Sequence, residues 1–371
     1  MDDYTPIISE EERLARRAKR AEIRRKRQRA RRRQMLIRLL PAAALCLVLV
    51  TALILWLQRE KSEPELSKAI PAAAAQVQAN AAAKPAPPYS AAETAQTRQL
   101  GDEISSSYAV LIDLQSNTIL AEKGFQTVIS PASMTKILTL LVAAEHLNSL
   151  DDTFTITREI TDYCYVNDCS VVGLDVGETV SVRELLYGTI LSSGADAALG
   201  LAEAVAGSHE AFVELMNAKL QELGLAETAH FTNCVGLYDK AHVCTVYDMA
   251  MILKAAMDNQ LCRQVLSAHT YETAPTPQHP EGQVLSNWFL RKIEDHDAEQ
   301  TVRAVGAKTG YVVQSGSCAA SWGEDADGNA YLCVTGDAGS SWQAIFDHTA
   351  LYQLCGQAEG AGSAPAGSPA S

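Results

Sequence analysis

Three short clusters in this chain set a serine or a lysine where chemistry could be done. In PASMTKIL, Ser133 and Lys136 stand three residues apart. On a helix, positions i and i+3 share a face, which would hold the lysine amine against the serine hydroxyl. A serine hydroxyl is a poor nucleophile until a neighbour takes its proton. A lysine can do so once burial and nearby positive charge lower its pKa. Both devices are expected here. The stretch is apolar nearly all round (Met134, Ile137, Leu138, Leu140, Leu141, Val142), so it should be buried, and its positive N-terminal end would lie at Ser133. Taken alone, the same four residues also describe an N-capping serine followed by an ordinary lysine.

The second cluster is SSGADAA, where Ser193 and Gly194 end one helical stretch and begin another. The third is AKTGYV, where Lys308-Thr309-Gly310 closes a strand, followed by Tyr311. A lysine beside glycine on a sheet edge can offer a cation to a substrate carboxylate while the backbone comes close. Each cluster is weak by itself. Their weight comes from the order: buried helix, inter-helix loop, late strand.

The elements that must position these residues can be read from periodicity. SYAVLIDL is a β-branched strand, and a turn at Gln115–Asn117 leads into TILAEK, a hairpin signal. A helix is predicted from Ser133 to Leu147, with others at 181–192, 194–206, 209–222 and 245–257. Strands return at 302–309, 316–323 and 330–336, with a turn near Asp327–Gly328, and a last helix runs from about Ser341 to Leu354. Strands at both ends with helices between them predict an α+β domain whose two ends meet in one antiparallel sheet flanked by helices.

Charge divides the chain. Residues 1–38 hold 14 Lys/Arg against six acids, leaving 17 basic and 38 acidic residues in 39–371. An acidic body argues against nucleic acid as the main partner. Between tail and body lies LLPAAALCLVLVTALILWL, residues 39–57, uncharged and long enough at about 1.5 Å per residue to span a bilayer core. Trp56 and Arg59 sit where an interface anchor belongs, and the basic flank predicts a cytoplasmic N-terminus with the body outside. A cleaved signal peptide is the competing reading. Residues 58–102 are rich in Ala, Pro, Gln and Ser and read as a disordered spacer, with the folded body over 103–355 and a disordered tail over 356–371.

Eight cysteines fall in the body: 164, 169, 234, 244, 262, 318, 333 and 355. Export permits disulfides: local separation favours Cys164–Cys169 and Cys234–Cys244, and Cys318–Cys333 could bridge neighbouring strands, with buried free thiols as the alternative. No Cys/His spacing fits zinc, and neither a metal nor an organic cofactor is implied. His242, Asn233 and Asn287 read as packing or loop-capping residues, with the asparagines as possible cleft-lining groups.

With these stretches in hand, Ser107 to about Cys355 resembles the low-molecular-weight penicillin-binding proteins, the serine D-Ala-D-Ala carboxypeptidase family (peptidase S11). The supporting stretches are SYAVLIDLQSNTIL, PAS, VGETVSVRELLYGTILSSGADAA, HFTNCVGLYDKAHVCTVYDMA and AVGAKTGY. The resemblance implies a β-lactamase/transpeptidase-like fold with a mostly helical subdomain. It implies acylation of Ser133 by a stem peptide ending in D-Ala-D-Ala, Lys136 as base, Ser193 as proton relay, and Lys308 with Thr309 on the terminal carboxylate. The backbone N–H groups of Ser133 and Tyr311 would form the oxyanion hole, and β-lactams would be covalent inhibitors. The sequence departs from the pattern at Ala195, where the family usually has Asn, and at Cys234 and Cys244, where Pro and Ser are usual. No Arg-x-Glu-x-x-Leu-Asn loop of the class A β-lactamases occurs between Ser193 and Lys308. A β-lactamase of the same fold, a D,D-endopeptidase and a non-catalytic wall-binding protein remain as rival readings.

Overall fold

A computed structural model describes residues 89–296 and 301–358. The basic segment, the apolar stretch 39–57, most of the spacer and the tail beyond 358 lie outside the described residues. Among the described residues no helix is long and apolar enough to cross a membrane.

The order of elements is β1 (Ala92–Gln99), β2 (Tyr108–Asp113), β3 (Thr118–Lys123), a 3-10 turn (Ala132–Met134), α1 (Thr135–His146), β4 (Thr153–Thr155), α2 (Arg158–Val166), β5 (Thr179–Ser181), α3 (Val182–Leu191), α4 (Ala195–Ala206), α5 (His209–Glu222), α6 (Val246–Asp258), α7 (Gln260–Leu266), β6 (Thr270–Glu272), β7 (Val284–Ser286), α8 (Trp288–His296), β8 (Val302–Val312), β9 (Gly316–Asp325), β10 (Ala330–Ala338) and α9 (Ser341–Ala358). Six strands form the main sheet in the order β1-β3-β2-β10-β9-β8. The two ends of the chain therefore meet through the antiparallel pairing of β2 with β10, Leu111 opposite Cys333.

Alternation along these strands builds two cores. Val110, Ile112, Ala320, Trp322, Leu332 and Val334 face the side covered by α1, α3, α4 and α6. Ala109, Leu111, Ala319 and Cys333 face the other side, where α8 and α9 bring Phe289, Ile293, Ile345 and Tyr352. Because both faces are covered, the central strands read as nearly continuous apolar runs. The helix α1 passes through the first core with every residue from Thr135 to Ala143 buried. Two capping boxes fix helix starts nearby, Ser181 with Glu184 on α3 and Thr245 with Asp248 on α6.

Four expectations need correction. Ordered structure begins ahead of Glu103: β1 lies in the segment read as spacer, and it pairs with β3 in parallel, so the sheet is mixed rather than wholly antiparallel. Its sequence, AETAQTRQ, is exposed along nearly its whole length, so it is held by backbone pairing and carries no hydrophobic signal. Second, Ser133 precedes the α-helix, in the 3-10 turn. Third, the two-stranded sheets β4–β5 and β6–β7 and the helices α2, α7 and α8 have no counterpart among the elements expected from the sequence. Fourth, all eight cysteines of the body are free thiols. Cys318 and Cys333 lie on neighbouring strands but on opposite faces of the sheet, one in each core, and no bridge can pass through a sheet. Cys234 points its thiol at the Ala198 carbonyl, and burial pushes it up to about 12. Cys164 and Cys169 are neighbours through a thiol–thiol hydrogen bond, which raises the first and lowers the second.

Candidate active site

The turn that carries Ser133 is forced into shape from several sides. Ala132 has φ +49, in the left-handed region, which costs a residue with a side chain about 1–2 kcal/mol. Surrounding contacts hold it there. The Thr135 hydroxyl donates to the Ala132 carbonyl at 2.7 Å. His242, fully buried, accepts from the Thr232 amide on Nδ1 at 3.0 Å, which leaves Nε2–H to donate to Thr135 Oγ1 at 2.8 Å. Burial lowers His242 to about 3, so it works as a neutral ring, stacked on Phe231. Sequence reading had it as a packing and hydrogen-bonding residue, and that is the part it plays.

Two glycines then allow close approach. Gly236 has φ +82, and a Cβ there would stand 2.0 Å from the Ala132 oxygen. Gly310 on β8 packs against the same turn, where a Cβ would come within 2.9 Å of the Ser133 amide nitrogen. The Ser133 amide therefore lies against β8 one residue before Tyr311, where the resemblance expects the oxyanion hole.

Lys136 sits one helical turn beyond Ser133 and is 2 % exposed. Its Nζ donates to Ser133 Oγ at 3.1 Å and to the Val235 carbonyl at 2.6 Å. Burial pulls its pKa down to about 8, against a smaller upward pull from nearby thiols and Asp196. The Val235 carbonyl is aimed by Asn233, whose Oδ1 accepts from the amides of Val235, Gly236 and Leu237. Asn233 is a loop-capping residue.

Across the cleft, Lys308 Nζ donates to Ser193 Oγ at 2.9 Å and to its neighbour's Thr309 carbonyl at 2.7 Å. Burial, with the Lys136 charge adding to it, holds Lys308 well below the usual lysine range. Two buried amines thus face one cleft, the Lys136 charge disfavouring that of Lys308, and a carboxylate entering there would favour the charged form. Ser193 is itself left-handed, φ +55, in the link between α3 and α4. Asp196 fastens that link. Its carboxylate accepts from the amides of Val172, Gly173, Leu174 and Ala197, which ties the loop over Gly194 to the start of α4.

The structure thus brings Ser133, Lys136, Ser193, Lys308, Thr309 and Gly310 to one cleft, with Tyr311 exposed at its rim. A cavity of about 260 Å³ adjoins Ser193 and Lys308, lined also by Ser192, Asn287, Trp288 and Thr309. Asn287 both lines it and ties α8 to β8 through the Ala307 carbonyl at 3.1 Å. What sequence reading missed are the supports: the Val235 carbonyl, the His242–Thr135 link, Gly236 and the Asp196 clamp. Only Asp196 left a signal, as an acid in the first turn of a helix. Chemically, a hydroxyl beside a depressed lysine, a facing amide and a second serine–lysine pair can acylate, hold an oxyanion and protonate a leaving amine.

Comparison with known proteins identifies the family. Residues 92–337 match the peptidase S11 family, described as D-alanyl-D-alanine carboxypeptidase. The D-alanyl-D-alanine carboxypeptidase DacF of Bacillus subtilis is 37% identical over 158 residues, 43% of this chain and 40% of that protein. A Streptomyces K15 D-alanyl-D-alanine carboxypeptidase is 32% identical over 203 residues, 53% of this chain and 68% of that protein. The crystal structure of the Streptomyces K15 DD-transpeptidase superposes with a TM-score of 0.61 at 28% identity, over 68% of this chain and 97% of the other. The matched region spans about two-fifths of the Bacillus protein, and 38% of the DacC carboxypeptidase of Escherichia coli. On the family match and the likeness to the Streptomyces K15 enzyme, the chain belongs to the D-alanyl-D-alanine carboxypeptidase family, peptidase S11.

Proposed function

We propose that this chain is a serine D-alanyl-D-alanine carboxypeptidase that removes the terminal D-Ala from peptidoglycan stem peptides and is acylated by β-lactams. The observation that carries the reading is the 3.1 Å contact from Lys136 to Ser133, facing the Lys308–Ser193 pair. In this reading neutral Lys136 takes the Ser133 proton as Oγ attacks the penultimate D-Ala carbonyl. The N–H groups of Ser133 and Tyr311 receive the oxyanion. Lys308 and Thr309 hold the terminal carboxylate while Gly310 lets the strand come close. As the C–N bond breaks, the proton passes from Lys136 through Ser193 to the leaving amine, and D-Ala departs. Water, deprotonated by Lys136, then attacks the acyl ester and frees Ser133.

The apolar stretch 39–57, with 14 basic residues before it, supports an anchor with the N-terminus cytoplasmic and the catalytic body outside. A second reading has one specific support: Streptomyces K15 relatives carry both the carboxypeptidase and the DD-transpeptidase description. An acyl-enzyme can be resolved by an amine as well as by water, so transfer belongs to the same site.

The test is labelling by a fluorescent penicillin together with D-Ala release from a pentapeptide. Both should be abolished in Ser133→Ala, with intact mass placing the adduct on Ser133. A label that survives the substitution would sink the assignment. Adding a D-amino acid acceptor separates hydrolysis from transfer. Rapid penicillin turnover would identify a β-lactamase instead.

A further inference from the structure

On the outer face of α8 and α9 lies a row of aromatic side chains that the proposed chemistry does not use. Trp288 and Trp342 meet edge to face with centroids 5.3 Å apart, Phe346 follows at 6.1 Å from Trp342, and His296 lies 4.2 Å from Phe346. Trp288, Trp342 and Phe346 are 39%, 45% and 41% exposed. The helices do not need these rings for packing, because Phe289, Leu290, Ile293, Ala344 and Ile345 already fill the core beneath them. A contiguous exposed patch of this kind marks a surface that meets something.

Two observations say what it meets. Trp288 belongs to both places: it lines the cavity beside Ser193, Lys308 and Thr309, and it starts the aromatic row. The row is therefore a continuation of the cleft along the surface. The charge around it is balanced, with Arg291 and Lys292 on α8 matched by Glu294 and Asp295, and Lys292 paired with Asp295 at 3.0 Å. An anionic lipid surface calls for a cationic excess, whereas a neutral polymer does not. Pyranose rings present an apolar C–H face suited to aromatic faces, and their hydroxyl and acetamido groups find donors in Lys292, whose amine stands 5.9 Å from the Trp342 ring, and in His296.

We infer that the row Trp288–Trp342–Phe346 is a docking surface for the neutral amino-sugar strand that carries the stem peptide, so that glycan and peptide are held as one ligand. The inference rests on the stem-peptide reading above. Its consequence is an effective-concentration gain for glycan-linked substrate over free peptide.

The experiment uses the full chain in detergent and three probes: peptide-free glycan strands of N-acetylated amino sugars that carry no carboxylate, free pentapeptide, and the same pentapeptide linked to its disaccharide. Binding of peptide-free strands is expected, with about tenfold weaker binding in Trp342→Ala and Phe346→Ala. The same variants should raise KM for the linked pentapeptide while leaving free-pentapeptide turnover and penicillin acylation unchanged, which also shows that they fold. No binding of peptide-free strands, or binding that the variants leave untouched, would overturn the inference. So would retention on phosphatidylglycerol vesicles that falls in the variants, since that would assign the row to lipid. Strand binding that survives in a protein unable to take penicillin would overturn the proposed catalytic function and leave the docking surface standing.

Discussion

The two serines of the cleft are held by opposite means. At Ser133 the strained backbone belongs to the preceding residue, Ala132, and the turn is wedged by close packing: Gly236 beneath one carbonyl, Gly310 against the amide, and the neutral His242–Thr135 link behind. At Ser193 the serine carries the left-handed conformation itself, and a single carboxylate, Asp196, gathers four amides to keep it there. Steric wedges fail abruptly when a neighbour grows. Polar clamps lose stability when an acceptor is lost. The serine proposed as nucleophile, whose position would set the rate, has the stiffer support.

The largest effect expected from breaking this contrast is at Gly236. Gly236→Ala puts a Cβ 2.0 Å from the Ala132 oxygen and into φ +82, so the turn must move. Acylation by benzylpenicillin should slow by about 100-fold or more, read by stopped-flow labelling. An unchanged rate would show that the wedge is dispensable. Asp196→Asn ranks second and should act mainly on stability. Losing acceptor contacts of a buried carboxylate costs roughly 3 kcal/mol, a fall in Tm of about 5–10 °C for a domain of this size, with acylation slowed less than in the glycine variant. The reverse ranking would break the comparison.

The smallest effect is at His242. His242→Gln should slow acylation by about tenfold without moving its pH dependence, because burial keeps the ring neutral from about 3 upward. The profile belongs to Lys136. In the proposed mechanism its free amine is the base, so the protonated form below about 8 would be inactive and the rate should rise with pH through that value, then level off. An apparent pKa near neutrality that disappears in the glutamine variant would transfer the role of base to His242.

Much of this was legible in the residues. The i, i+3 pairing of Ser133 and Lys136 on an apolar stretch, and the strands at both chain ends, needed only periodicity. The exact footing of Ser133 was not legible, because a 3-10 turn and a helical turn share their local residue preferences and the choice is made by Gly236 and Gly310, distant in sequence. Nor was β1, whose polar residues satisfy backbone hydrogen bonds at an edge and bury almost nothing. The thiols misled in a different way. Cys318 and Cys333 lie on adjacent strands, but strand parity, which only the register fixes, put them on opposite faces.

That unadvertised edge strand has a mechanical meaning. The chain enters the catalytic body at β1, at one border of the sheet, while Lys308 lies on β8 at the other, five strand spacings or roughly 24 Å away. Tension arriving along the upstream chain meets β1 first, where parallel pairing to β3 and the Tyr247 hydroxyl grip on Ala91 can give way one bond at a time. A pull on the chain ahead of Ala92 would fray that border before any strain reached the strand that carries Lys308.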